Sequence, residues 1–134
     1  MLTRLGYESD CIQIVNNGLL CVEYLSRSTT AERSTAILIF MDVFMPIMGG
    51  LDATTHIRQN PLILAEEQPY IIALTANAMA GDRKVCIQSG MDAYLTKPVT
   101  LDAVRAELQL GWEHFQHDIR RNNKGNKSAN ESLT

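Results

Sequence analysis

The chain has no apolar run long enough to cross a bilayer, and no basic, apolar and small-residue layout at its start that reads as a secretory leader. It also lacks a strong charge of either sign. Twelve Lys and Arg against fifteen Asp and Glu give a formal net charge of −3 and a pI of about 5.5, so there is no general electrostatic pull toward nucleic acid. Cysteine is scarce. Cys11, Cys21 and Cys86 are odd in number, fit neither a zinc site nor a redox pair, and each falls in an apolar-periodic segment. They read as small buried hydrophobes in a reducing compartment, which makes the cytoplasm the expected location. His56, His114 and His117 have no metal-ligand partners at suitable spacing and read as helix-surface residues. Met41, Met45, Met48, Met79 and Met91 read as packing rather than as a sulfur site. No nucleotide-binding motif and no internal repeat is present. At 134 residues the chain is about one domain, long enough to bury a core.

What is present centres on Ile37-Leu38-Ile39-Phe40-Met41-Asp42-Val43-Phe44-Met45-Pro46. An apolar, β-branched run that is too short for a core helix reads as a strand buried on both faces. Aspartate is unfavourable inside a strand, so Asp42 belongs at the strand's end. In open parallel α/β sheets that is where ligands bind. Two later runs behave alike. Tyr70-Ile71-Ile72-Ala73-Leu74 meets Thr75, and Asp92-Ala93-Tyr94-Leu95 meets Thr96-Lys97-Pro98. Three strand ends thus deliver a carboxylate, a hydroxyl and an ammonium. A carboxylate can attack phosphorus to give an aspartyl phosphate. A hydroxyl can donate to a phosphate oxygen, and an ammonium can neutralise phosphate charge.

Around these strands the pattern alternates. Met1 to Tyr7 reads as the last turns of a helix closed by a C-cap at Gly6. Cys11 to Val15 reads as a further strand. Asn16-Asn17-Gly18 is turn chemistry, with Asn17 able to cap a helix whose face runs Leu19, Val22, Leu25-Ser26. Arg27 to Thr35 is a polar loop. Leu51 to Gln59 is a helix with Asp52 at its positive end, stopped by Asn60-Pro61. Met79 to Ser89 is a helix capped by Gly90. Thr100 caps a final helix whose apolar face runs Leu101, Val104, Leu108, Trp112, Phe115. From Gln116 the chain turns polar, with Arg120, Arg121, Lys124 and Lys127, and residues 117–134 read as a disordered tail after a domain spanning 1–116. The order αβαβαβαβα implies a doubly wound α/β fold with a parallel sheet.

Three ordered motifs carry a resemblance. Met41-Asp42-Val43-Phe44-Met45-Pro46-Ile47-Met48-Gly49-Gly50, then Ala73-Leu74-Thr75-Ala76-Asn77-Ala78, then Gly90-Met91-Asp92-Ala93-Tyr94-Leu95-Thr96-Lys97-Pro98 together resemble a response-regulator receiver domain. The form is the one attached to hybrid histidine kinases. The resemblance implies a flavodoxin-like sheet of strand order 2-1-3-4-5 and a phosphorelay module that accepts a phosphoryl group from phosphohistidine. Asp42 would be the phosphoacceptor, Lys97 the phosphate contact, Thr75 the switch hydroxyl and Tyr94 the aromatic that reports phosphorylation. The implied partners are a histidine kinase or a histidine phosphotransfer protein. The module would not itself be an enzyme beyond slow self-catalysed transfer and hydrolysis. The resemblance also implies a cis bond at Lys97-Pro98.

It implies a gap as well. Receivers open with a strand that ends in two acidic residues, and neither the strand nor the acidic pair is found in this chain. The sheet would then have open strand edges, which invite self-association. The family's magnesium site would keep only Asp42 and the backbone carbonyl of Phe44, a weak set for a cation that wants near-octahedral oxygen ligation. Phosphoryl transfer depends on such charge neutralisation. A rival expectation is therefore a pseudo-receiver, an interaction module without phosphoryl chemistry.

Overall fold

The computed structural model describes residues 2–8, 12–27, 36–77 and 79–131, with the side chains of Glu66, Ala80, Ile119 and residues 122–131 outside that description. Three strands form one parallel sheet: β1 (Leu38–Asp42), β2 (Tyr70–Thr75) and β3 (Ala93–Thr96), in that spatial order. Leu38 to Asp42 lie opposite Tyr70 to Leu74, and Ile72 to Thr75 lie opposite Ala93 to Thr96. Four helices accompany them: α1 (Gly18–Arg27), α2 (Gly50–Gln59), α3 (Ala80–Ser89) and α4 (Leu101–Glu131). The fold class expected from the sequence, strands alternating with helices over a parallel sheet, is the one observed.

The pleat decides which side chains meet which helix. Met41, Ile71 and Ala73 are buried in one cluster with Cys21 and Leu25 of α1, Ala53 and Ile57 of α2, and Cys86 of α3. The opposite face carries Leu38, Tyr70 and Ile72 and is covered by α4. There Gly111 sits so close that a Cβ would lie 2.6 Å from Leu38 Cδ2 and 3.1 Å from Tyr70 Cδ1. A glycine inside a helix costs roughly 0.5–1 kcal/mol, and here it sets the distance between helix and sheet.

The local stop signals act as their chemistry predicts. Asn17 caps α1, its Oδ1 accepting the Leu20 N–H at 2.9 Å. Gly90 ends α3 in the left-handed region at φ 107°, and Gly6 ends an opening 3-10 turn at φ 91°. Thr100 Oγ1 accepts from the Ala103 N–H at 3.2 Å. Cys21 and Cys86 are buried free thiols, and burial pushes both upward in pKa. Cys11 lies outside the described residues.

Three expectations are corrected. Ile12–Val15 is not a strand; Ile14 is 81% exposed while Val15 packs on the core. A strand's backbone groups need a neighbouring chain, and among the described residues none runs alongside. The buried stripe of α4 passes through Val104, Leu108, Gly111 and Phe115, leaving Trp112 exposed. The smallest residue faces the sheet where the helix comes nearest. Finally, α4 continues to Glu131, well past Gln116. No proline interrupts 116–131, and the Lys, Arg, Gln and Glu in it are good helix formers.

Among the described residues, the β1 edge of the sheet has no strand paired to it. Val43 N–H donates to Leu74 O at 3.1 Å and Ile37 O accepts from Tyr70 N–H at 2.9 Å. In a parallel ladder this parity turns the odd-numbered residues of β1 toward β2. The N–H and C=O groups of Leu38, Phe40 and Asp42 therefore face away from β2, and among the described residues no strand pairs with them.

Candidate functional site

The carboxyl ends of the three strands lie side by side. Thr75, the last residue of β2, pairs with Thr96, the last of β3, and Asp42, the last of β1, pairs with Leu74. Lys97 follows immediately, its N–H donating to Thr75 O at 2.7 Å. Its ammonium forms an ion pair with Asp42 Oδ1. The two side chains are 46% and 41% exposed, so the pair adds little to stability, of order 0–1 kcal/mol. What it supplies is position: a cation held against the carboxylate. Asp42 Oδ1 is closed to water and has no hydrogen-bond partner among the described residues beyond that ion pair. The Lys97–Pro98 bond is cis.

The loop after Asp42 is clamped at several points. Val43 O accepts from Gly50 N–H at 2.9 Å, and Met48 O accepts from Gly18 N–H at 2.9 Å. At Gly50 a Cβ would lie 2.2 Å from Asp42 O and 2.9 Å from Met41 Cγ, so no larger residue allows α2 to start here without moving Asp42. Between these clamps, Met48 N–H donates to Pro46 O at 2.7 Å around Ile47, whose φ is +70°. This is a γ-turn of the rarer, positive-φ kind. A β-branched residue there is a genuine outlier and stores of order 1–3 kcal/mol of strain. Ile47 is 80% exposed and nearby Phe44 is 85% exposed. No packing demand accounts for either side chain.

Thr75 is buried, with 2% of its surface exposed. Its hydroxyl accepts from the Asn77 N–H at 3.2 Å and reaches Asn77 O at 3.4 Å. No described bond joins it to Asp42. Tyr94 packs its ring on the core cluster and donates its hydroxyl to Asn77 O. The structure thus brings Asp42 and Lys97 into contact and joins Thr75 to Tyr94 through Asn77. Asn77 was not singled out in the sequence. The Thr-x-Asn order directly after a strand is the available signal, because a threonine hydroxyl can turn the backbone two residues on. Ile47 gave no signal, since nothing in its side chain asks for positive φ.

The magnesium set fits poorly. Asp42 and the Phe44 carbonyl offer one carboxylate and one backbone oxygen. Among the described residues, no three His, Cys, Asp or Glu side chains gather where they could hold a metal. These residues alone do not supply the six oxygen ligands that magnesium requires. Among the described residues no helix is long and apolar enough to cross a membrane.

Comparison with known proteins places this geometry in a family. Residues 7–109 match the response regulator receiver domain, and the chain belongs to that family. It is 38% identical over 111 residues to hybrid signal transduction histidine kinase H of Dictyostelium discoideum, a match covering 83% of this chain and 8% of that protein. The chain thus spans a small part of the curated relatives it matches. The receiver domain of sensor histidine kinase PA1611 from Pseudomonas aeruginosa, solved with a magnesium ion coordinated in its active-site cleft, is 38% identical with a TM-score of 0.62, covering 82% of this chain and 80% of that one. The receiver domain of Ssk1 from Saccharomyces cerevisiae, solved with the histidine phosphotransfer protein Ypd1, is 28% identical with a TM-score of 0.59, covering 71% and 66%. The flavodoxin-like receiver fold is that of these neighbours.

Proposed function

We propose that this chain is the receiver of a phosphorelay and accepts a phosphoryl group from phosphohistidine onto Asp42. The observation that carries the reading is the Asp42–Lys97 ion pair, which joins the ends of β1 and β3 across the Thr75 end of β2. An Asp42 carboxylate oxygen attacks phosphorus, the phosphorus–nitrogen bond to the donor imidazole breaks, and its electron pair returns to the imidazole. An aspartyl phosphate results. Lys97 exchanges its carboxylate partner for the phosphoryl oxygens and offsets their charge. Thr75 leaves Asn77 to donate to the phosphoryl group, and Tyr94, which shares Asn77, reports the change. The donor would be a histidine kinase or a histidine phosphotransfer protein, in keeping with the Ypd1 complex of a related receiver. Magnesium is the expected cofactor, as in the PA1611 receiver, with Asp42 and the Phe44 carbonyl as the ligands this chain offers. The module works in the cytoplasm as a phosphoprotein, is not an enzyme in its own right, and self-associates weakly through the open β1 edge.

The sparse metal set favours a second reading, a pseudo-receiver that docks partners without phosphoryl chemistry. Intact mass after incubation with a phosphorylated histidine phosphotransfer protein and magnesium separates the two. One phosphoryl group, hydroxylamine-labile and lost in Asp42→Asn, supports the receiver. Acetyl phosphate is expected to label slowly, because the present residues complete no magnesium shell. The absence of label from any phosphohistidine donor establishes the pseudo-receiver.

A further inference from the structure

Two packing demands meet at the start of α1. The cap position takes a short side chain with an acceptor oxygen, and Asn17 supplies it. Its Oδ1 accepts from the Leu20 N–H at 2.9 Å, and its backbone carbonyl accepts from the Cys21 N–H at 3.3 Å. The residue is 7% exposed, so a neutral amide costs less there than a carboxylate. The next position takes glycine for lack of room. A Cβ at Gly18 would lie 2.7 Å from Met48 O and 2.8 Å from Ala53 Cβ. Gly18 N–H donates to Met48 O at 2.9 Å and ties α1 to the loop after Asp42. The fold thereby builds the only Asn-Gly pair in the chain. Asparagine is chemically labile, and a following glycine has no side chain to keep its nitrogen off the amide carbon.

We propose that Asn17-Gly18 is a site of spontaneous deamidation, gated by the loop that follows Asp42. The Gly18 nitrogen loses its proton to hydroxide and attacks Asn17 Cγ. The Cγ–Nδ2 bond breaks, and the amide nitrogen leaves as ammonia with a proton from water. Water then opens the succinimide ring. Opening at Cγ gives aspartate, and opening at the main-chain carbonyl gives isoaspartate. No oxidant or cofactor enters. In the closed loop both reacting groups are occupied, Gly18 N–H by Met48 O and the Asn17 amide by the Leu20 N–H. Ring closure waits until both bonds open. Met48 follows the strained Ile47 turn, φ +70°, and that strain lowers the cost of opening. The two products differ in effect. Aspartate keeps the cap oxygen and adds a charge that suits a helix N-terminus. Isoaspartate inserts a methylene into the main chain, displaces the cap and draws Gly18 away from Met48, so the Asp42 loop loses a tether. None of this depends on phosphoryl transfer, so it stands or falls separately from that reading.

The full chain is aged in mildly alkaline buffer and followed by tryptic mapping of residues 5–27 and by enzymatic methylation of isoaspartate. Chain unfolded in concentrated urea should convert at Asn17 with release of ammonia. Folded chain should convert about tenfold or more slowly, in proportion to the open fraction. Below the unfolding transition that slower rate should be flat in urea, because a local opening exposes little surface. Asn17→Ser keeps a cap oxygen, so it should stop conversion and leave the urea midpoint close to that of the parent. Equal rates in folded and unfolded chain overturn the proposal. Conversion that rises with urea from the lowest concentrations, or that occurs only in unfolded chain, also overturns it, since the gate is then global unfolding rather than the loop. Conversion that persists in Asn17→Ser assigns the chemistry to Asn16 and overturns it too.

Discussion

The two ends of the same three-stranded sheet are built on opposite terms. At the amino end, Arg58 reaches from α2 and donates to Gly90 O at 2.9 Å, Gln68 Oε1 at 2.9 Å, Pro69 O at 2.8 Å and Asp92 Oδ2 at 2.8 Å. Asp92 in turn bonds both backbone directions of Ile71, its N–H to Ile71 O and its Oδ2 from Ile71 N–H. One arginine ties the end of α2, the 61–69 connection, the cap of α3 and the entry to β3. At the carboxyl end, one half-exposed ion pair stands beside a strained Ile47 and an exposed Phe44. The contrast shows where this fold keeps its stability and where it keeps free valence for a ligand. A charge with four of its five N–H donors engaged holds the chain together, and a charge with little else to bind is available for chemistry.

The largest effect expected from breaking that contrast is on transfer. Asp42→Asn should abolish phosphohistidine-dependent labelling in intact-mass assays, while its urea midpoint shifts by no more than about 1 kcal/mol of stability, because the ion pair it loses is exposed. Lys97→Ala should behave in the same direction with some label retained. Arg58→Met, which keeps the apolar stem, should do the reverse. It should cost about 2–3 kcal/mol in urea unfolding, as Asp92 and two carbonyls lose charged donors, and should leave residual folded protein able to accept label. Gly50→Ala joins the two ends. Its Cβ would collide with Asp42 O, a backbone atom that cannot swing aside, so about 1–3 kcal/mol of stability and much of the labelling rate should fall together. The smallest effect should carry the opposite sign. Ile47→Gly relieves the positive-φ turn and should raise stability by about 0.5–1 kcal/mol, with labelling slowed if the turn's rigidity positions the Asp42 loop. A destabilised Ile47→Gly would show that the turn is not strained.

Much of this was legible because it rests on local chemistry. Apolar runs ending in Asp42, Thr75 and Lys97 marked three parallel strands and the ends that lie side by side, and Asn17, Gly90 and Thr100 marked helix boundaries by their capping groups. What escaped depends on neighbours. Ile12–Val15 has strand composition, but among the described residues no chain runs beside it. Trp112 lies on the apolar periodicity of α4, yet contact with the sheet is made one residue earlier, where Gly111 fits. Arg58 looks like any helix-surface arginine until Gln68, Gly90 and Asp92, distant in sequence, converge on it. Asn77 gained meaning only from the Thr75 and Tyr94 hydroxyls that converge on it.

The parity of β1 has one more consequence. Ile39, Met41 and Val43 turn their amides into the ladder, whereas Leu38, Phe40 and Asp42 turn theirs to the open edge. In deuterated solvent, protection along this single strand should therefore alternate residue by residue, with slow exchange at the odd positions and fast at the even ones. Any strand that docks there closes the fast class at once, so three amides, one of them belonging to Asp42, act as a built-in gauge of whether the edge is occupied.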